Sequence, residues 1–286
     1  MKEYIFSIII LSFSLLVAYL ISFETILFFN YKLVYVLWLL IFTIHISVFI
    51  PSYIYQTEHY YDLTGGITFI SSVVLLTTGR YFYFETIDYV SLIVSLLVLL
   101  WTIRLSSFLF LRVKRTGQDV RFSEIKKDFK RFLLAFLLSG LWVFTCLLPS
   151  IVVLTSSKSI ELDIITISGI IIWVFGFIFE VVADKQKTEF NKKNKGRFIS
   201  TGLWSLTRHP NYFGEFTLWA GLAIISIPYL YGINYIVLTS PLFIYLLLTK
   251  VSGVNLLEEI GEKRWGSEKE YQDYKKNTPK FFPKFL

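Results

Sequence analysis

The chain has 286 residues and a formal net charge of +7, and 55% of its residues are hydrophobic and 19% aromatic. Its mean hydropathy of +0.60 is higher than a soluble domain of this size requires, so the composition excludes a soluble globular enzyme. The single cysteine, Cys146, excludes an internal disulfide and a thiolate metal cluster. The three histidines lack metal-ligand spacing, so no metal site is expected.

Apolar runs long enough to cross about 30 Å of hydrocarbon recur along the chain. They lie near residues 4–22, 31–50, 87–111, 130–154, 163–182, 212–231 and 234–252. A shorter run at 64–79 contains two glycines and several Ser and Thr residues. The pattern predicts an all-α polytopic membrane bundle of eight transmembrane helices, or of seven if this shorter run does not cross. The first run has only Lys2 ahead of it and no small-residue cleavage site, which indicates a retained span.

Basic residues are distributed unevenly between the segments that join these runs. If both termini face the cytoplasm, 24 of the 28 Lys and Arg residues lie in cytoplasmic segments. Only Lys32, Arg80 and Lys158 then lie on the opposite side, and Arg104 lies inside a run. This asymmetry follows the positive-inside rule and predicts that both termini are cytoplasmic. Topology explains the net charge, which also suits a cytoplasmic anionic ligand or anionic lipid headgroups, so nucleic acid is not an expected partner.

The basic segment at 112–131 divides the chain by composition. Residues 1–129 are mainly hydrophobic helices, which we expect to form part of a substrate cavity. Residues 130–286 contain most of the polar clusters, which we expect to form a cofactor pocket on the cytoplasmic face.

Two polar sites interrupt the N-terminal part. The stretch YYDLTGGITF places Asp62 ahead of paired glycines, which allow another group to approach closely. The stretch WTIRLSSFLFLR places Trp101 and Arg104 inside a predicted span. An arginine at that depth is costly unless it is paired or faces a wet cavity, so we expect Arg104 to be functional or ion-paired, with Asp62 as a candidate partner. A protonated Asp62 would donate a hydrogen bond to a substrate, whereas an ionised Asp62 paired with Arg104 would be structural.

The C-terminal part contains a dense polar motif, GLWSLTRHPNYFGE at 202–215, at the entrance to an apolar run. Its candidate binding residues are Arg208, His209, Asn211, Tyr212 and Glu215. Polar groups are expensive to hold at such a place and are usually retained for function. Pro210 suits the first turn of a helix, whose positive end would then face an anion bound beside Arg208 and His209. An ordinary interfacial cap with snorkelling basic side chains is the alternative interpretation.

Three further clusters lie on the same predicted side of the membrane: FEVVADKQKTEF at 179–190, VSGVNLLEE at 251–259 and the amphipathic tail. They contribute Glu180, Asp184, Lys187, Glu258, Glu259, Tyr271 and Tyr274. Surface ion pairs and a tail that lies at the membrane surface are the alternative interpretations. The chain has no G-x-G fingerprint and no phosphate-binding P-loop. The residues therefore indicate a basic and aromatic site for a charged cofactor, and they do not name that cofactor.

A series of motifs in order carries a resemblance to a known family. They are YDLTGGITF, WTIRL, RTGQDVRF, ADKQKTEF, LTRHPNYFGE, KVSGVNLLEE and a closing Y-x-x-Y…P-x-F-F-P. From about Asp62 to the C-terminus, the chain resembles the bacterial branch of the steroid 5-alpha-reductase family, which is related to sterol reductases. The resemblance implies a reductase of the bacterial inner membrane that uses NADPH to saturate a carbon–carbon double bond conjugated to a carbonyl. The implied substrate is a lipid-like small molecule, either sterol-like or isoprenoid.

The resemblance also implies site residues. In the cofactor pocket it places Asp184, Lys187, Arg208, His209, Asn211, Tyr212, Glu215, Glu258, Glu259, Tyr271 and Tyr274. These residue types suit NADPH, because guanidinium and ammonium groups bind phosphates and carboxylates accept hydrogen bonds from ribose hydroxyls. The candidate catalytic residues are Asp62, Trp101 and Arg104. Eukaryotic members of the family polarise the ketone with a glutamate–tyrosine pair, and Asp62 and Trp101 depart from that pattern, which leaves the proton donor unassigned.

A second interpretation comes from another class of enzyme. Isoprenylcysteine carboxyl methyltransferases and phospholipid methyltransferases share R-H-P-x-Y-x-G at a span entrance, a C-terminal E-E pair and a Y-x-x-Y tail, and they bind S-adenosylmethionine. Asn211, Glu215 and the upstream ADKQK favour the reductase. A lipid-binding or scaffold protein that keeps the pocket without catalysis is a third interpretation.

The charge asymmetry predicts which residues lie on opposite faces of the membrane. A membrane-impermeant maleimide should label Lys158→Cys from the outer side and Lys276→Cys from the cytoplasmic side, in intact cells and inverted vesicles respectively. The unmodified chain controls for labelling of Cys146. Labelling of both positions from the same side would contradict the predicted topology.

Overall fold

The structure is a computed structural model that describes residues 2–23, 25–116, 122–158, 160–251 and 253–284, without the side chains at 113, 115 and 116. Its α-helices are α1 (Lys2–Ser22), α2 (Leu33–Ile54), α3 (Tyr61–Phe84), α4 (Tyr89–Thr116), α5 (Phe129–Thr155), α6 (Ile164–Lys193), α7 (Leu203–Leu206), α8 (Pro210–Ser226), α9 (Ser240–Leu246), α10 (Val254–Trp265) and α11 (Lys269–Asn277). Turns of 3₁₀-helix lie at Ile125–Lys127, Ile227–Tyr229 and Gly232–Thr239, and a π-helical turn lies at Leu247–Val251. The strands β1 (Leu27–Phe28) and β2 (Tyr31–Lys32) form an antiparallel hairpin. The centre of the RTGQDVRF motif, residues 117–121, lies outside the described residues.

Seven segments within the described ranges are long and apolar enough to cross a membrane, which confirms the all-α polytopic bundle. They are α1, α2, α3, residues 89–112 of α4, α5, α6 and, apart from residue 252, the segment 232–265. Seven is the lower of the two predicted numbers of transmembrane helices, but the segments that make up the seven are not all the predicted ones. The run at 64–79 forms part of the 24-residue α3, whereas the run at 212–231 forms α8, whose 17 residues end at Ser226. At its rise per residue α8 is about 25 Å long, which is shorter than the hydrocarbon layer.

One compact unit consists of Met1–Asp163 and Ser226–Val237. Its centre is α5, which is buried throughout its second half and packs against α1, α2, α3 and α4. These four helices keep exposed apolar side chains, such as Ile8 and Leu39, which suit contact with lipid. The boundary that composition suggests at residue 129 falls inside this unit, because α5 follows that boundary. The functional division into a substrate part and a cofactor part stays a prediction.

Arg80 joins three helix ends within this unit. The charge pattern places it on the outer side of the membrane, and the structure shows it inside α3 and only 3% exposed. Its Nη2 lies 2.6 Å from Oδ2 of Asp88, and its Nη1 donates to the carbonyl oxygen of Ser156 at 2.7 Å. Asp88 also accepts from the backbone N–H of Ser91 at 2.9 Å. The buried guanidinium is thus paired and hydrogen-bonded, and it ties the end of α3 to the start of α4 and the end of α5.

The second unit, Ile164–Ile225 and Leu238–Leu286, contains a close crossing of α6 and α8. Gly176 lies against Gly214, and Gly169 against Gly221, so the two helices run antiparallel. A Cβ built on either member of the first pair would lie 2.7 Å from the carbonyl oxygen of the other, and the second pair gives 2.8 and 2.7 Å. Side chains do not tolerate such distances, so only glycine permits this backbone contact.

The crossing sets the position of the polar ends of both helices. A Cβ on Gly214, in the first turns of α8, would lie 2.6 Å from the backbone nitrogen of Glu180 on α6. The N-terminus of α8 therefore lies beside the part of α6 that carries the buried carboxylates of Glu180 and Asp184. The segment that enters α8, residues 202–209, is held close to α6 as a result.

Replacing a contact glycine should force the two helices apart. Gly176→Ala would place its Cβ 2.5 Å from the backbone nitrogen of Leu218. Because no side-chain movement relieves a clash with backbone, we expect a loss of about 1–3 kcal/mol, measured as a lower melting temperature in detergent. Gly65→Ala is the matched control, since its Cβ would lie 3.5 Å from the Trp142 ring and alanine is the better helix former. Equal melting temperatures for the two variants would contradict the role of the glycine crossing.

Candidate functional site

The polar motif begins on the short helix α7, which is bonded to α6. Gly202 precedes α7 with a φ of +64°, a conformation that favours glycine. The backbone N–H of Leu203 donates to Oε1 of Gln186 at 2.9 Å, and the indole N–H of Trp204 donates to the carbonyl oxygen of Ala183 at 3.1 Å. These hydrogen bonds fix α7 to the C-terminal half of α6 and bury Trp204.

The C-terminal tail also holds this segment in place. The phenol of Tyr274 on α11 donates to the carbonyl oxygen of Trp204 at 2.6 Å. Beyond α11, the carbonyl oxygen of Pro279 accepts from the backbone N–H of Arg208 at 2.9 Å, and that of Phe281 accepts from the hydroxyl of Thr207 at 2.9 Å. The tail, for which a place at the membrane surface was the simpler expectation, therefore belongs to the framework of the site.

Helix α8 starts at Pro210, as the sequence predicts. The carbonyl oxygen of His209 accepts the first helical hydrogen bond, from the backbone N–H of Phe213 at 3.1 Å. Proline has no N–H to leave unsatisfied in a first turn, and its φ is already close to helical. The positive end of the helix dipole therefore follows His209 directly.

Glu258 on α10 links the two basic residues of the motif. Its Oε2 lies 3.1 Å from Nη2 of Arg208, and its Oε1 lies 2.9 Å from Nε2 of His209. Nη1 of Arg208 also donates to the carbonyl oxygen of Lys275 at 3.0 Å. Because an ionised carboxylate only accepts hydrogen bonds, we assign the proton of the neutral imidazole to Nε2 and leave Nδ1 as an acceptor.

Burial governs the protonation of His209. It lowers the pKa of the imidazole below the usual value, and the hydrogen bond to Glu258 opposes this shift without reversing it. The ring is therefore neutral at pH 7. The stability that depends on a neutral ring is present above the usual histidine pKa and is lost as the pH falls through the lowered value, because the unfolded chain binds the proton first.

Two polar atoms of this cluster are buried without a hydrogen-bond partner among the described residues. They are Nε of Arg208, a donor, and Nδ1 of His209, an acceptor. A buried donor or acceptor without a partner costs free energy, so such atoms are uncommon and usually have a functional reason. A bound group that accepts from Nε and donates to Nδ1 would satisfy both.

Tyr212 supports the imidazole by stacking. The rings of Tyr212 and His209 have centroids 5.8 Å apart and planes inclined by 14°. The tyrosine ring also lies against Gly253, whose φ is +87° and where a Cβ would come within 3.0 Å of that ring. Tyr212 therefore orients His209.

A cavity of about 390 Å³ is lined by this cluster and by the segments around it. Its cationic lining residues are Lys187, Lys195, Arg197, Arg208 and Arg264. Its aromatic lining residues are Phe198, Trp204, Trp265, Tyr271 and Tyr274. Within the described residues, Glu258 is the one carboxylate in the lining. The cavity is thus strongly cationic, with aromatic walls.

The aromatic part of the cavity is built around Phe198. Its ring centroid lies 5.1 Å from that of Tyr271, 5.6 Å from that of Tyr274 and 5.8 Å from that of Trp265. The indole N–H of Trp265 donates to the carbonyl oxygen of Gly196 at 2.6 Å, which ties the loop after α6 to the end of α10. Burial raises the pKa of Tyr271 and of Tyr274, so both phenols stay neutral.

The structure brings together part of the predicted cofactor set. The predicted residues that line the cavity are Lys187, Arg208, His209, Glu258, Tyr271 and Tyr274. The others lie outside its lining: Asp184 and Glu215 are buried in α6 and α8, Asn211 and Tyr212 are half-buried in the first turn of α8, and Glu259 is exposed. The contribution of these five to a cofactor pocket stays a prediction.

Several lining residues were missed by the sequence analysis. They are Asn191, Asn194, Lys195, Arg197, Phe198, Trp204, Arg264 and Trp265. The basic stretch at 191–197 could have indicated Asn191, Asn194, Lys195 and Arg197, but the positive-inside rule explains that stretch equally well. The two tryptophans match the usual pattern of packing or interfacial aromatics. Their place in the cavity depends on where α10 folds, which no local pattern records.

The candidate catalytic residues lie in the other unit. Oδ2 of Asp62 is 3.8 Å from Nη2 of Arg112, which lies at the start of the basic segment. Trp101 is buried and packs edge-on against neighbouring aromatic rings. The guanidinium of Arg104 lies over the ring of Phe108, with 5.5 Å between its carbon and the ring centroid. The pairing of Asp62 with Arg104 and the catalytic role of the three residues stay predictions.

Comparison with known proteins identifies two kinds of similarity. The family described as "Protein of unknown function (DUF1295)" matches residues 48–278. "Probable O-methyltransferase ustE" of Ustilaginoidea virens is 41% identical over 70 residues, which are 23% of this chain and 24% of that protein. The chain thus matches about a quarter of that relative's length. No solved structure matches the chain.

Removing the shared carboxylate should leave the partly buried Arg208 without its ion-pair partner. The Arg208 side chain is only 12% exposed, so we expect Glu258→Gln to lower the free energy of unfolding by about 1–3 kcal/mol. Glu259→Gln is the matched control, because the neighbouring carboxylate is exposed and lies outside the cavity. Denaturation of the detergent-purified protein at pH 7 measures both variants. Wild-type stability in Glu258→Gln would show that the pair contributes nothing.

Proposed function

We propose that this chain, which belongs to the family described as "Protein of unknown function (DUF1295)", is a membrane-embedded NADPH-dependent reductase. That family is related to steroid 5-alpha-reductase-like proteins. The proposed reaction saturates a carbon–carbon double bond conjugated to a carbonyl in a sterol-like, isoprenoid or other lipid-like substrate. The proposed location is the bacterial inner membrane. Both termini are proposed to lie in the cytoplasm, which requires the short helix α8 to cross the membrane together with the seven longer segments. The observation that carries the proposal is the cationic lining of the cavity, which has five Lys and Arg side chains and one carboxylate among the described residues.

The charge of the lining favours NADPH over S-adenosylmethionine. NADPH carries a pyrophosphate and a 2′-phosphate, whereas S-adenosylmethionine carries a sulfonium cation and no phosphate. Among the described lining residues, Glu258 is the one carboxylate beside five cationic side chains, and His209 is neutral. In a partly enclosed site such an excess of positive charge attracts polyanions and repels cations. The lining therefore favours the dinucleotide.

The buried polar atoms of the cavity fit such a ligand. Nε of Arg208 needs an acceptor, which a phosphate oxygen provides, and the neighbouring Lys187 adds a second cation. Nδ1 of His209 needs a donor, which a ribose hydroxyl or a carboxamide N–H provides. Phe198 and Trp265 offer aromatic faces to a base. When bound, NADPH supplies the hydride, and the redox chemistry is its own.

The protein contributes binding and orientation. Glu258 holds Arg208 and His209 at fixed positions, and the tail fixes the backbone that carries them. In the proposed reaction negative charge develops on the carbonyl oxygen of the substrate, so a positioned donor there would lower the barrier. The candidates for that donor are the predicted residues Asp62, Trp101 and Arg104.

Methyl transfer from S-adenosylmethionine is the second candidate function. The identity shared over 70 residues with a protein named as a probable O-methyltransferase favours it. The size of the cavity also favours it, because 390 Å³ is near the lower end of the range for ligand sites. NADPH has nearly twice as many non-hydrogen atoms as S-adenosylmethionine, so the smaller cofactor would be more fully enclosed. We place this function second because its cationic sulfonium conflicts with the charge of the lining.

Thermal stabilisation by each cofactor separates the two functions. A ligand that binds only the native state adds about 2.7 kcal/mol of stability at roughly a hundred times its Kd, so we expect NADPH, and not S-adenosylmethionine, to raise the Tm of the purified protein. Lys187→Ala should weaken the apparent affinity for NADPH about tenfold, since it removes a cation from the lining. Lys193→Ala, which removes an exposed lysine of the same helix outside the lining, should not.

Each other outcome of the stabilisation experiment removes one or both of the two functions, or removes the assignment of nucleotide binding to this cavity. Stabilisation by S-adenosylmethionine alone would replace the reductase with the methyltransferase. Stabilisation by neither cofactor would remove both functions. Equal NADPH affinity in Lys187→Ala and Lys193→Ala would separate nucleotide binding from this cavity.

A further inference from the structure

The β-hairpin that joins α1 to α2 exposes an uncharged aromatic surface. Its strands β1 and β2 flank a turn of two residues, Phe29 and Asn30. The side chain of Phe29 is 82% exposed and that of Tyr31 is 70% exposed. The ring of Phe29 packs edge-on against that of Phe28, with centroids 4.7 Å apart. Residues 27–31, which we name the aromatic tip, contain no charged residue.

The one lysine of the hairpin is used at its base. Nζ of Lys32 donates to the carbonyl oxygen of Phe23 at 3.4 Å and to that of Thr25 at 3.2 Å. These carbonyl groups directly follow the C-terminal end of α1, where a cation also interacts favourably with the helix dipole. The charge of Lys32 is therefore directed back to α1, and the tip stays uncharged.

Buried contacts fix the base of the hairpin to the bundle. Ile26 is buried, and its backbone N–H donates to the carbonyl oxygen of Thr155 at the end of α5, at 3.3 Å. Its own carbonyl oxygen accepts from the backbone N–H of Leu33 at 3.0 Å. Strand β1 also packs against α3. The aromatic tip therefore extends from a fixed base.

The turn places a phenylalanine where the backbone favours a smaller residue. Phe29 has a φ of +47° and Asn30 a φ of +66°. Two-residue hairpin turns with positive φ at both positions are usually Asn-Gly or Asp-Gly, because a bulky side chain is strained there. Asn30 suits this conformation and Phe29 does not. A surrounding other than water would offset the cost of holding an exposed ring at this position.

The aromatic tip continues a lipid-facing stripe of α1. Leu16, Tyr19 and Phe23 are exposed and follow each other at helical spacing toward the hairpin. The rings of Tyr19 and Phe23 pack edge-on with centroids 5.3 Å apart. Because α1 is long and apolar enough to cross a membrane, this stripe suits contact with lipid. It ends four residues before the tip begins.

Exposed tyrosines at neighbouring helix ends mark the level of the membrane surface. Leu33, directly after the hairpin, lies against Gly79 near the end of α3, where a Cβ would be 2.7 Å from Cδ2 of Leu33. The hairpin thus lies on the same side of this unit as the end of α3. That end exposes Tyr81 and Tyr83, and the start of α4 exposes Tyr89. Tyrosine is enriched at membrane–water interfaces, so the tip lies at the level of an interface.

We propose that the aromatic tip is a membrane anchor, with the ring of Phe29 in lipid at the boundary between headgroups and acyl chains. Both ends of the hairpin lead into lipid-facing spans, and the tip has no charge with which to bind a polar partner. Tyr31 suits the same place, because its ring is apolar and its hydroxyl can reach water. Contact with lipid also offsets the backbone cost at Phe29. The inference is independent of the cofactor and of the proposed reaction.

A depth measurement tests the proposal directly. The full chain in phospholipid nanodiscs carries a nitroxide spin label at Phe29→Cys or at the control Glu161→Cys, an exposed position between α5 and α6. Electron paramagnetic resonance then compares collisions of the label with oxygen, which concentrates in the bilayer, and with a water-soluble nickel chelate. We expect oxygen to dominate at position 29 and nickel at position 161. The unmodified chain controls for labelling of the buried Cys146.

A stability measurement tests whether the contact anchors the chain. Asparagine suits a positive φ better than phenylalanine, so the backbone alone predicts an equal or higher Tm for Phe29→Asn. Because the variant loses the ring from the bilayer, we instead expect its Tm in nanodiscs to fall by about 2–4 °C. Asn30→Gly is the matched control, since it suits the same turn and keeps the ring, and it should not lower the Tm.

Three results would overturn the proposal. Dominant collisions with nickel at position 29 would place the tip in water. Few collisions with either reagent would show that protein covers the tip, whether from the same chain or from a second copy. A Tm of Phe29→Asn equal to or above that of the wild type would show that the ring contributes no anchoring, even where it contacts lipid.

Discussion

Two pairs of glycines bring the backbones of α6 and α8 into direct contact, at positions where neither helix has room for a side chain. Helices in a membrane gain little hydrophobic energy by packing against each other, so close contact through small residues is a main source of their association. Here that contact sets the first turns of α8 beside Glu180 on α6. It brings Gly202–Trp204 within reach of Gln186 and Ala183, whose hydrogen bonds fix the start of the polar motif.

In the same unit, one carboxylate holds the basic residues of the polar motif in place. Glu258 pairs with Arg208 and accepts from His209, so one half-buried anion holds two functional groups at once. A buried ion pair is weak support for stability, because desolvation consumes much of the attraction. Two atoms of the same cluster are also buried without partners among the described residues. Polar groups held at such expense are better explained by binding than by folding, which agrees with the cationic lining around them.

Hydrophobic run lengths were enough to predict the all-α membrane bundle, but they did not predict where each helix ends. The run at 212–231 looked like a full span, but its helix ends at Ser226 and a 3₁₀ turn follows. The motif at 202–215 correctly indicated a helix starting at Pro210 with basic residues ahead of it. Local sequence could not reveal that Trp265 bonds to Gly196, or that Pro279 accepts from Arg208, because these partners lie about seventy residues apart. The backbone contacts that the tail makes with the polar motif were therefore found only in the structure.

The proposed function requires that the cationic cavity bind an anionic dinucleotide. The most direct test is a cryo-electron microscopy map of the full chain in detergent with saturating NADPH. We expect nucleotide density in the cavity, with a phosphate within hydrogen-bond distance of Arg208. A map with well-defined side chains around the cavity and no nucleotide density there, or with the dinucleotide bound elsewhere, would contradict it.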